Sequence, residues 1–194
     1  MSNSTVEEVD LVGDETALNV ARAALFAALM GAFAYVSFPY PLSPAPVTLQ
    51  VLGVFLAGLF LGPVWGGASM ALYLLAGAVG APVFAGGGAG VGVLLGPTGG
   101  YLLSYTLAAF VVGTIAHGGL GLRPLAEASV ARLVVAMGAA VVVIYGIGVP
   151  FMWWNLEMTL RTAVITGAVV FVPAEALKMA AAIGIVRSDA IRAE

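Results

Sequence analysis

Glu175 and Lys178 stand in Pro173-Ala174-Glu175-Ala176-Leu177-Lys178, inside a stretch from Thr162 to Val186 that carries no other charge. A charged side chain at bilayer depth costs roughly 2.5–3.5 kcal/mol on insertion scales. Such groups therefore face a protein interior and mark a substrate or ion path. A spacing of three puts both on one helix face, close enough to pair. The carboxylate is an acceptor and the ammonium carries three donors. Together they suit a small molecule bearing N–H groups and an oxygen or carboxylate. The competing reading is a structural ion pair that locks the last helix to a neighbour. Pro173 removes a backbone donor on the preceding turn, and a kink there would open room for a ligand.

A second unusual element is the glycine-rich segment Gly80 to Thr98. It is too apolar for an ordinary loop and too rich in glycine for an ordinary helix. It lacks the Lys-Ser/Thr ending of a phosphate-binding loop and the spacing of a dinucleotide fold. Irregular backbone in a membrane protein must be buried or line a cavity. Two readings stand side by side: close helix contact through pairs such as Gly88/Gly92 and Gly96/Gly100, or a lid over a ligand. Thr48, Gln50, Asn155, Tyr73, Tyr101 and Tyr105 are further polar candidates. Each alone is more often a helix–helix hydrogen bond or an interface anchor than a ligand contact. His117, the single histidine, falls in an expected loop, and there is no cysteine. These facts exclude disulfides and thiolate nucleophiles and argue against histidine-rich metal sites and Ser/His catalysis. No ATPase motif is present, so the expectation is a non-enzyme with no cofactor, no metal and no nucleic-acid partner.

The elements that must position these groups are membrane helices. The chain is 61% hydrophobic and 9% charged, with a mean hydropathy of +1.08. A soluble domain carries about 25% charged residues. From Ala23 to Leu122 there is no Asp, Glu, Lys or Arg, far more than one span of about 20 residues requires. The uniformly apolar segments favour helices over a barrel, whose strands would alternate. Proline and glycine divide the runs into six expected spans, about 17–38, 47–61, 64–79, 99–116, 133–151 and 160–186, within one membrane domain, 17–187. Pro39 to Pro46 holds four prolines and reads as a stiff surface loop. Trp153, Trp154 and Tyr145 suit an interfacial belt.

Six spans put both termini on one side. Arg22, Arg123, Arg132, Arg187 and Arg192 then share that side against Arg161, which predicts cytoplasmic termini. Residues 1–16 read as an acidic cytoplasmic tail, and 188–194 as a cytoplasmic C-terminus. The acidic head lacks the basic start of a secretory signal. On a cytoplasmic tail the Asn3-Ser4-Thr5 sequon has no meaning. On the first span Ala24, Ala28 and Ala32 form one stripe of small residues, and Ala23, Ala27 and Gly31 another. Such faces allow close approach of a helix, from within the chain or from another subunit.

Pro46-Val-Thr-Leu-Gln50, Leu56 to Pro63, Tyr73-Leu-Leu-Ala-Gly77, Gly80-Ala-Pro-Val-Phe84, Gly96-Pro-Thr-Gly-Gly-Tyr101 and Pro173 to Lys178 together resemble the BioY family. These are the biotin-specific substrate-binding (S) subunits of energy-coupling factor (ECF) transporters. The resemblance runs from the first span to the last. It implies an all-α, six-helix S-component-like fold in the cell membrane, and biotin capture near the outer face beneath outer loops. It implies import driven by two cytoplasmic ATPases through a scaffold membrane subunit, with lipid as the surrounding partner. The implied ligand contacts are Glu175, Lys178, Tyr73, Phe84, Gly88, Tyr101, Gln50 and Thr48; the implied docking residues are Ala23, Ala24, Ala27 and Ala28. The family usually has Asp where Glu175 stands, and some members carry Asn and Arg where Gly88 and Leu102 stand. An S subunit for another vitamin or small heterocycle, or a structural membrane subunit, is the alternative expectation.

Overall fold

The computed structural model of the protein describes residues 13–188. The acidic residues up to Asp10, the Asn3 sequon and Arg192 lie outside the described residues. Helix α1 (Asp14–Tyr35) starts three residues before the expected first span, and Asp14 and Glu15 fill its first turn. Carboxylates there complement the exposed N–H groups of the helix start. A two-stranded antiparallel hairpin follows, β1 (Ser37–Phe38) and β2 (Val47–Thr48), pairing Ser37 with Thr48. It staples together the two ends of the proline-rich loop, a feature the proline count alone does not announce.

Helix α2 (Gln50–Ala78) is not straight. Gly62 adopts φ 73°, ψ −172°, and Pro63 follows. Glycine enters this region without the Cβ penalty, and proline supplies no N–H to continue the ladder. The chain reverses there: a Cβ on Gly66 would sit 2.8 Å from the Ala57 carbonyl of the first arm. The two arms, 50–61 and 63–78, correspond to the second and third expected spans. The glycine-rich segment holds α3 (Val91–Leu95), and α4 (Gly99–His117), α5 (Val130–Leu156), α6 (Leu160–Gly167) and α7 (Val172–Arg187) complete the bundle. Five helical stretches are long and apolar enough to cross a membrane, counting α2 once and Leu160–Arg187 as one. Stretches of that length and composition fit a chain that crosses a membrane several times.

The sixth expected span is broken rather than continuous. Ala168 leaves helical geometry at φ −137°, ψ −59°, and a 3₁₀ turn (Val169–Phe171) joins α6 to α7. Pro173 sits in the first turn of α7, where its missing N–H costs nothing. The break turns Phe171 into the core, where it is 5% exposed.

Helix α4 is the central element, packed between α2 and α5, while α1 lies along α2. Close approach depends on particular glycines. A Cβ on Gly113 of α4 would collide with the Gly62–Pro63 backbone, and one on Gly148 of α5 with the Tyr101 ring. Of the glycine contacts expected in the 80–100 region, Gly100 does meet Phe151 of α5. Gly92 has nothing within 4 Å of a built Cβ. The close crossings thus fall inside the helices. The two alanine stripes of α1 part company: Ala23, Ala27 and Gly31 are buried, whereas Ala24, Ala28 and Ala32 are exposed.

Candidate functional site

The first turns of α2, α4 and α7 and the middle of α5 meet at one end of the bundle and line a partly open cavity of about 190 Å³. Helix α7 supplies Glu175 and Lys178, α4 supplies Tyr101, Leu102 and Tyr105, and α5 supplies Ile144 and Tyr145. Gln50 and Val51 enter from the start of α2, and Phe171 from the 3₁₀ turn. Ala45, Pro46, Val47 and Thr48 of the hairpin, with Ala85, Val93 and Thr98 of the glycine-rich segment, complete the lining. Both irregular segments therefore border the cavity.

Lys178 Nζ donates to Glu175 Oε1 at 2.9 Å, and both residues are buried. The Tyr145 hydroxyl donates to the same oxygen at 3.0 Å. Tyr145 thus belongs to the interior, not to the expected interfacial belt. The signal for it was available in principle, since residue 145 sits in mid-span, eleven residues before the end of α5. Trp154 does suit a belt, at 84% exposed. The second oxygen, Glu175 Oε2, is buried without a hydrogen-bond partner. A buried acceptor left unpaired costs about 1–3 kcal/mol, more when charged, and such an atom in a native structure calls for an explanation.

The other polar groups are mutually engaged. Gln50 Nε2 donates to the Tyr73 hydroxyl at 2.8 Å, and the Thr48 hydroxyl donates to Gln50 Oε1 at 3.0 Å. The Tyr101 hydroxyl donates to the Gly167 carbonyl at 2.8 Å, across the last turn of α6. An aromatic wall runs from Tyr40 through Phe171 and Tyr145 to Tyr101, with centroid separations of 5.5, 6.4 and 6.0 Å. Tyr40 also donates to the Val170 carbonyl at 3.2 Å, tying the proline-rich loop to the break before α7. Tyr35 donates to the Pro82 carbonyl at 2.6 Å, tying α1 to the glycine-rich segment.

Five of the eight sequence-selected contact residues line the cavity: Glu175, Lys178, Tyr101, Gln50 and Thr48. Tyr73, Phe84 and Gly88 are not among the lining residues. Phe84 is fully buried and packs edge-on against Tyr73 at 5.5 Å; its N–H donates to the Gly88 carbonyl at 3.0 Å. These three form a layer behind the lining that holds Gln50 and the glycine-rich segment in place. Tyr105, Tyr145, Phe171 and Leu102 join the lining because three-dimensional packing brings them there.

His117 is buried at the opposite end of α4, about 24 Å from Tyr101 at 1.5 Å per residue. It is the last helical residue rather than part of a loop. Its Nε2–H donates to the Leu59 carbonyl at 2.8 Å, and its Nδ1 accepts from the Arg123 N–H at 3.1 Å. Leu59 is the residue whose helical acceptor would have met the N–H of residue 63, and residue 63 is proline. No group of three or more His, Cys, Asp or Glu that could hold a metal occurs among the described residues.

A family model described as BioY family matches residues 4–193. The chain is 38% identical over 167 residues to a probable biotin transporter BioY of Pyrococcus horikoshii, covering 86% of this chain and 93% of that one. It is 39% identical over 155 residues to a biotin transporter BioY of Thermotoga maritima, covering 74% and 90%. The crystal structure of an S-component for biotin from an ECF-type ABC transporter superposes with a TM-score of 0.78 at 23% identity, covering 95% of both chains. At that identity the structural likeness speaks for the fold.

Proposed function

The chain belongs to the BioY family, and from that membership we propose that it is a membrane-embedded subunit that captures biotin for import. The observation that carries the reading is Glu175 Oε2, an acceptor buried in the cavity without a donor. A ureido N–H of biotin supplies that donor. Lys178 retains N–H groups beyond the one given to Glu175, and these reach the ureido oxygen. The fused rings lie against Phe171, Tyr145 and Ile144, while Tyr73, Phe84 and Gly88 act behind them. Thr48, Gln50 and Tyr101 shape the head of the site.

The cavity faces the outer side, and both termini are cytoplasmic. Supporting this, Arg123 and Arg132 both flank Gly118 at the far end of α4, and Arg187 donates to the Ala126 and Ala128 carbonyls there. These three arginines thus gather away from the cavity, as the positive-inside rule asks. Import is driven by a scaffold membrane subunit and two cytoplasmic ATPases. The exposed Ala24 and Ala28 offer the scaffold a close contact on α1, and Ala23 and Ala27 support that helix from within. Hairpin and glycine-rich segment form the cover through which biotin enters.

The test is calorimetric titration of the purified, detergent-solubilised protein with biotin and a panel of other vitamins. Tight stoichiometric binding of biotin alone is expected. A folded protein that binds no biotin, or binds another heterocycle better, overturns the assignment.

A further inference from the structure

The charge and donor inventory of the cavity goes beyond the capture of biotin, and the inference drawn from it rests on that reading. Lys178, the single lysine of the chain, is the one cation among the described lining residues, and it is already paired with Glu175 at 2.9 Å. The formal charge of the lining is therefore zero. A second carboxylate placed inside would leave a net negative charge in a buried site, which low-dielectric surroundings penalise heavily.

Four of the neutral donors are also engaged. Gln50 Nε2 goes to Tyr73, the Thr48 hydroxyl to Gln50, the Tyr101 hydroxyl to Gly167, and the Tyr145 hydroxyl to Glu175. Among the described lining side chains, the donors without a protein acceptor are the hydroxyls of Tyr105 and Thr98, the second N–H of Gln50 Nε2 and the remaining N–H groups of Lys178. A ureido group presents two N–H donors and one carbonyl oxygen: Glu175 Oε2, which has two lone pairs and no protein donor, accepts from the N–H groups, and Lys178 and Tyr105 donate to the oxygen. No second cation is left among the described lining residues for an acid group. The cavity, at about 190 Å³, is also smaller than the roughly 300–1,000 Å³ of ordinary ligand sites. It takes a bicyclic head more readily than the head with its full tail.

We infer that this pocket reads the ureido head and leaves the carboxylate unread, so that tail-neutralised derivatives of biotin bind about as well as biotin itself. The specificity that follows is for a cyclic urea fused to an apolar ring, with tolerance at the tail.

The unmodified protein in detergent, titrated with biotin, biotinamide, biotin methyl ester and a ureido N-methylated biotin, provides the test. The amide and the ester are expected within about fivefold of biotin, and the N-methylated compound at least a hundredfold weaker. If biotin binds tightly and the amide and ester lose thirtyfold or more, the inference is overturned while the function stands. Tight binding of the N-methylated compound overturns the head-reading part. If none of the four binds to folded protein, the functional reading itself has failed.

Discussion

Two buried polar sites occupy opposite ends of α4, and they differ in how completely they are satisfied. At the far end, His117 gives one nitrogen to the Leu59 carbonyl and takes the Arg123 N–H on the other. Both ring nitrogens are used, and the site repairs an acceptor that Pro63 orphaned. At the cavity end, Glu175 Oε1 receives two donors and Oε2 receives none. Both arrangements bury comparable chemistry. A closed inventory marks a structural joint, whereas an open one beside a cavity marks a place for a ligand. Burial alone, or rarity of the residue type, would have ranked the two alike.

That contrast breaks if variants at the two ends behave alike. The largest expected effect is at Lys178. Lys178→Ala strands the Glu175 carboxylate, and breaking a buried pair from one side costs about 3–5 kcal/mol. Biotin affinity should fall at least a hundredfold, at about 1.4 kcal/mol per tenfold, and calorimetry reads it directly. Replacing both partners, Glu175→Gln with Lys178→Met, should abolish binding while thermal stability stays level or rises, because no lone charge remains. Retained binding in the double variant would remove the cavity end from the account.

At the other end His117→Ala should behave inversely. It leaves the Leu59 carbonyl unpaired and should cost about 1–3 kcal/mol of stability, seen as a lowered unfolding midpoint, with biotin affinity within twofold. Gly113→Val, which drives a side chain into the Gly62–Pro63 turn, should destabilise by about 1–3 kcal/mol through overpacking, again with affinity unchanged. Loss of binding in either variant, in protein that remains folded, would show that the two ends are coupled. The smallest effect belongs to Tyr145→Phe. It deletes one of the two donors to Oε1 and should weaken binding by about 1 kcal/mol, roughly fivefold, while the ring continues to stack on Phe171.

Much of this was legible in the residues. The charge-free run from Ala23 to Leu122 demanded several membrane helices, and Gly62-Pro63 marked the reversal that splits α2. Glu175 and Lys178 stood out because charge is costly where everything around them is apolar, and the i,i+3 spacing foretold their pairing. Tyr145 was misread because an aromatic near tryptophans looks interfacial; only the rotation of α5 about its axis turns it to Glu175. His117 was misread because a polar residue between spans looks like a loop; the proline-created acceptor on a distant helix is what buries it. The two small-residue stripes led by Ala23 and Ala24 were alike in composition, and packing of α1 on α2 buried one and left the other exposed.

The sequence by itself determined the class of solvent, the folding of one charge-free run into several helices and the two residues that would have to pair, since these follow from transfer energies and local backbone geometry. Only the tertiary structure decided which tyrosines face the cavity, that the last span breaks at Ala168, and that one carboxylate oxygen goes without a donor. Those outcomes depend on how helices distant in sequence rotate and approach, and hydrogen-bond satisfaction across such contacts is written in no single segment.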